Sequence, residues 1–253
     1  MELLRNASDS LKRHLPTLAL YVGGGVLMGL ATSAVRIFIE YRYPELKEPP
    51  FPTEVNAIHV VSFIAVSAIT ALLQTIVFSR MGRDIDRPLW KVRDDREAMQ
   101  RFYMMWFEFN LITNTLLWLA NVPLGVEGLE PLNLFMLLMG LGAAIIIVPF
   151  GSAVMFHGRF TWGTLGESLL PLGKRLIQVA PVFLITSFQI MIWVYTSLMF
   201  PADIASTRSV ATHIGASVVH DAIVFYLDCL VFAAVWLTCK EDRDSPDELD
   251  LDF

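Results

Sequence analysis

The chain is predicted to be an all-α, polytopic membrane protein: a bundle of six transmembrane helices with both termini cytoplasmic. Three observations predict this. Apolar residues fill 55% of the 253 positions and charged residues only 17%, below the roughly 25% charged of a soluble domain. The apolar residues come in long blocks, the length a helix needs to cross about 30 Å of hydrocarbon, and mean hydropathy is +0.54. Basic residues also alternate between the sides. Segments 1–14, 80–101, 157–175 and 239–253 hold 15 of the 19 Lys and Arg, against 3 in segments 41–54, 121–131 and 200–209. Cytoplasmic loops carry that excess, so a multi-pass protein of the cytoplasmic (inner) membrane is expected, and the lipid bilayer is its first partner.

The chain divides into an interfacial leader (1–14), a six-span domain (15–240) and an acidic tail (241–253). In the leader, Leu3, Leu4, Ala7 and Leu11 recur at helical spacing while Arg5, Asp9, Lys12 and Arg13 fill the other face. That pattern fits a short amphipathic helix lying in the interface. Span one covers 15–39. Its start resembles a signal peptide, with basic residues, an apolar run and Ala31–Ala34, but the charge alternation argues against cleavage. Gly25, Gly29 and Ser33 stand four apart, a ladder of small residues that lets helices approach closely. Pro44, Pro49, Pro50 and Pro52 then enforce a loop.

Span two covers 55–78, with His59 near its start and Gln74 near its end. Segment 80–101 is the largest polar stretch. Its Asp84, Asp86, Asp94 and Asp95 form a short acidic pattern of the kind found in metal–diphosphate sites, but seven Lys and Arg accompany them, and a salt-bridged cytoplasmic segment is expected. Span three covers 102–122, with Asn110, Asn114 and Asn121 on one face and Glu108 nearly opposite. Span four covers 132–156 and is rich in small residues. Trp162 follows at the expected interface. Span five covers 176–200, with Pro181 near one end and Gln189 near its centre. Span six covers 208–240.

Span six carries the functional candidates. His213, Ser217, His220, Asp221, Val224 and Asp228 fall within roughly one 100° sector of a helix. Ionisable groups in a bilayer are expensive, by roughly 2.5–3.5 kcal/mol at the helix centre, and turn inward. Asp228, Asp221 and His220, joined by Gln189 and Asn114, are the candidates for an ion or proton relay. His59, His220 and Asp221 are the candidate metal ligands, since imidazole and carboxylate suit zinc or another divalent ion. Arg36 and Glu40 are candidates for structural ion pairing, Arg36 with Asp221. Haem ligation would need facing axial ligands from His59 and a span-six histidine, and no particular cofactor is indicated.

Other chemistries find no support. Cys229 and Cys239 stand ten residues apart on one helix, about 15 Å, too far for a disulfide. The tail holds seven acidic residues in 240–253 and accounts for most of the net charge of −6, so there is no basic nucleic-acid footprint. There is no nucleophile elbow, phosphate loop or dinucleotide fingerprint. The tail is expected to be disordered, with Leu249, Leu251 and Phe253 able to act as a docking strand. The function expected is a transport or channel-type subunit with a relay along span six, working with a protein partner or as a homo-oligomer. The alternatives are a non-catalytic subunit of a larger assembly and a metal-dependent membrane enzyme.

Overall fold

The structure, a computed structural model, describes residues 2–43, 52–86, 91–121, 130–158, 160–161, 165–199 and 207–244. Three of the four loop prolines (Pro44, Pro49 and Pro50), Trp162 and the tail beyond Asp244 lie outside them. The described residues form eight α-helices and no strand. A bilayer leaves no water for unpaired backbone groups, so a spanning segment must satisfy its own hydrogen bonds, as a helix does.

Helix α1 (Glu2–Lys12) takes the leader pattern. It does not lie apart on a surface: Ala7 and Leu11 are buried, and the helix packs on the last one, α8 (Thr207–Asp244). Helix α2 (Leu15–Arg42) follows after a break at His14, with a proline in its first turn. Helix α3 (Thr53–Ile85) runs well past the expected end of span two and carries Arg80 and Arg83 with it. Helix α4 (Asp95–Asn121) starts on a reciprocal cap: the Glu97 N–H donates to Asp94 at 2.8 Å, and the Arg93 N–H donates to the Glu97 carboxylate at 2.8 Å. Such caps satisfy the open donors of a first turn. Helices α5 (Glu130–His157), α6 (Leu165–Lys174) and α7 (Leu176–Met199) complete the set, with Pro149 inside α5 and Pro181 inside α7.

Five helices are long and apolar enough to cross a membrane: α2, α3, α5, α7 and α8. The expected third span is the exception. Helix α4 is as long, at 27 residues, but Glu108, Asn110, Thr113 and Asn114 lower its apolar content. It packs between α3 and α5.

The axis of the bundle is α8, which touches α1, α2, α3, α5, α6 and α7. Of its apolar stretch 56% is buried, against 17–28% for the other four, which marks it as the central helix. Its C-terminal half enters an aromatic core. Phe232 stacks on Phe78 at 4.5 Å, Trp236 sits 5.0 Å from Phe232 and 5.2 Å from Phe156, and Trp106 meets Phe78 edge-on at 5.5 Å. Offset and edge-on ring pairs are the favoured geometries.

The basic segments gather at this same end. Arg243 of α8 clamps Asp86 with two hydrogen bonds, 2.6 and 3.0 Å, and Lys240 stands 3.8 Å away. Arg80 and Arg83 both bond Asp95 at 2.6 Å. His14 faces Asp84 at 3.3 Å. Arg175 reaches Glu241 at 3.0 Å and Asp242 at 3.7 Å. The acidic pattern of 84–95 is thus taken up by ion pairs and a helix cap, but only Asp95 finds its partners within the segment; those of Asp84 and Asp86 come from His14 and from α8. The same pairs continue α8 through Asp244, so the first residues assigned to the tail are helical. Burial pushes the Asp95 carboxyl up, but the two guanidiniums outweigh it and hold the group below the ordinary carboxylate value.

Candidate functional site

Above the aromatic core, α8 runs antiparallel to α2, and the seam between them has four rungs. The Tyr21 hydroxyl donates to Asp228 Oδ2 at 3.2 Å. A Cβ on Gly25 would strike the Phe225 ring, and one on Gly29 would strike the Asp221 carboxylate. Ser33 bonds Ser217 at 3.5 Å. The ladder Gly25–Gly29–Ser33 is therefore the slot that receives the polar stripe. Two glycines are needed because Phe225 and Asp221 press directly on the α2 backbone.

Asp228 is held from a second side. The Gln189 amide of α7 donates to Asp228 Oδ1 at 2.8 Å and to the Val224 carbonyl at 2.9 Å. The relay candidates Asp228 and Gln189 are thus bonded directly. Tyr21 completes the group; its only sequence signal was that it continues the four-residue spacing of the ladder by one step. Gln74 accepts from Asn110 at 2.7 Å, and Asn114 donates to Ser67 at 2.9 Å. Two polar groups result, Asn110 with Gln74 across α4 and α3, and Tyr21, Asp228 and Gln189 across α2, α8 and α7.

Two cavities flank these groups. The inner one, about 290 Å³, is lined by Gln74, Asn110, Asn114, Gln189 and Asp228. The outer one, about 280 Å³, is lined by Arg36, His213, Ser217 and Asp221. His220 and Trp193 line both and stand between them. His220 Nδ1 is 2.9 Å from Asp221 Oδ1, while His220 Nε2 and Asp221 Oδ2 are buried with no hydrogen-bond partner among the described residues. Such atoms are costly unless a further group reaches them.

The other candidates fall differently. Arg36 pairs with Glu40, one turn along α2, at 3.3 Å, and Asp221 takes His220 as its partner. His59, His220 and Asp221 do not converge: among the described residues no three His, Cys, Asp or Glu side chains are grouped to hold a metal ion. The register of α3 on α2 explains this. Thr70 bonds Met28 at 3.3 Å and Leu73 lies against Gly24, whereas Asp221 lies against Gly29. His59 is eleven residues beyond Thr70, so it sits about 16 Å further along the bundle. Cys229 and Cys239 are buried and free.

Comparison with protein-family models, curated proteins and solved structures finds no match to this chain.

Proposed function

We propose that the chain is a six-span transport or channel-type subunit of the inner membrane, moving protons or ions along α8. Helix α4 is the sixth span in this reading. Its 27 residues measure about 40 Å, and Asn110 and Asn114 spend their amides on Gln74 and Ser67 instead of lipid. All four basic segments then face the cytoplasm, both termini with them.

The observation that carries the proposal is the placement of Asp228. It lines the inner cavity above a closed aromatic core, and His220 leads from that cavity to the outer one. Carboxylates and imidazoles in series are the usual materials of proton pathways through membranes. The outer cavity holds the first carriers, Asp221 and His220, and the inner cavity holds the last, Asp228. The basic end seals the far side in this conformation, so passage requires the bundle to open there, with a partner protein or a second copy as the source of that motion. The metal-enzyme alternative lacks its ligand set, since His59 stands apart from His220 and Asp221.

The test is flux in vesicles reconstituted with the purified chain and loaded with a pH-sensitive dye. Asp228→Asn and Asp221→Asn are each expected to lower proton- or ion-dependent flux at least tenfold while helical content stays unchanged. Undiminished flux in Asp228→Asn would remove the relay.

A further inference from the structure

We infer that the inner cavity binds a small organic ammonium ion, held by Asp228 and by the side-chain carbonyl oxygens of Gln189, Asn110 and Asn114. The argument rests on the direction of the hydrogen bonds. A backbone carbonyl only accepts, so Gln189 must turn its NH2 group to Val224 at 2.9 Å, and Asn110 must turn its own to Trp106 at 2.7 Å. Ser67 spends its proton on the Phe63 carbonyl at 2.7 Å, so its oxygen is left to accept from Asn114 at 2.9 Å. Three amide orientations are thereby settled. In each, the side-chain oxygen accepts no hydrogen bond from the described residues.

Asp228 follows the same polarity. Both its oxygens accept, Oδ1 from Gln189 and Oδ2 from Tyr21. No neighbour asks it for a proton, and both bonds are ones that a carboxylate can accept. The cavity therefore presents one negative charge and three further acceptor oxygens, and no Lys or Arg lines it. The one basic group among the residues lining the cavity is the His220 imidazole, which is bonded to Asp221, so half-buried Asp228 has no cation beside it, and an anion so placed is expensive. A primary ammonium supplies the missing charge and the missing donors together. Trp193 adds aromatic surface of the kind that attracts cations. A bare metal ion needs oxygens closed around it at about 2.0–2.6 Å. A space of about 290 Å³ suits a ligand of several non-hydrogen atoms instead.

The inference deepens the transport reading by naming a substrate class, and it rests on that reading only for the step from binding to movement. The test is calorimetric titration of the purified full-length chain with propylammonium chloride, with tetramethylammonium and sodium chlorides for comparison. Saturable binding of propylammonium is expected, with tetramethylammonium, which has the charge but no N–H, at least tenfold weaker. Asp228→Asn should weaken propylammonium binding at least tenfold. Asn114→Leu removes an acceptor from the opposite wall and leaves Ser67 bonded to Phe63; it should weaken binding about fivefold, and it keeps the test open if Asp228→Asn does not fold. No saturable binding, unchanged binding in Asn114→Leu, or displacement of propylammonium by sodium overturns the assignment. Binding without flux in vesicles leaves the site standing and removes the transport reading. Flux without ammonium binding does the reverse.

Discussion

The two ends of this bundle treat buried polar groups in opposite ways. At the basic end Asp86, Asp94 and Asp95 each have a neutralising or capping partner. Asp86 is clamped by Arg243, Asp95 by Arg80 and Arg83, and Asp94 caps α4. The space between the helices there is filled by Phe78, Trp106, Phe232 and Trp236. In the cavity half, apart from the Arg36–Glu40 pair, the groups that meet are carboxylates, amides, hydroxyls and an imidazole, and buried atoms are left over on Asp221 and His220, as one is on Arg83 at the basic end. The difference teaches where stability and function are separated. A filled, ion-paired end holds the helices together. The half with open valences and two cavities is where a ligand or a proton can be bound.

Three changes would break or sharpen that contrast, beyond the flux and binding tests above. The largest effect is expected from Arg243→Ala. It leaves Asp86 buried with Lys240 3.8 Å away. Removing one partner of a buried pair costs 3–5 kcal/mol, and since Arg243 is a third exposed the low end applies, about 3 kcal/mol. Thermal denaturation followed by circular dichroism reads this, and Asp228→Asn should move the same transition far less. If the two substitutions cost the same, the division of labour between the ends fails.

Next is Gly29→Val. The added side chain meets the Asp221 carboxylate and forces α2 and α8 apart. An overpacked seam costs about 2 kcal/mol, and flux should fall with it. Gly23→Val is the control, because a Cβ there meets nothing within 4 Å. The smallest effect concerns acid. The folded-state pKa of Asp95 is lowered, below its ordinary 3.8, so its contribution to stability is full above the unfolded value and is lost as pH falls through the folded one. Asp95 is partly exposed, so the contribution is less than about 1 kcal/mol. Denaturation midpoints of the parent chain should fall between pH 5 and pH 3, and the fall should be shallower in Asp95→Asn.

Much of the architecture was legible without coordinates. The leader helix, the long helices, the gathering of basic segments and the small-residue ladder on span one all follow from periodicity and charge. Asn110 and Asn114 on one face, and Gln189 near mid-span, could be read as inward groups because lipid rejects them. Less legible was what each one meets. Asp228 has Gln189 and Asn114 as its expected companions, yet Tyr21, 207 positions away in the chain, also donates to it. Arg36 reads as a partner for Asp221 by depth, yet Glu40 takes it by being one turn away. His59 is a candidate ligand beside His220 by residue type, yet the register of α3 on α2 puts it about 16 Å further along the bundle. Helix α4 has the length of a span, but the polar groups that make it useful inside the bundle also lower its hydropathy.

Sequence alone determined that the chain is helical, that several helices are long and apolar enough to cross a bilayer, and which end is basic. These are properties of single segments: each helix closes its own hydrogen bonds, and each loop carries its own charges. Only the tertiary structure decided which polar atoms meet. That choice depends on the rotation and register of one helix against another, and here Gly25 and Gly29 set both, by letting Phe225 and Asp221 of α8 press against the backbone of α2.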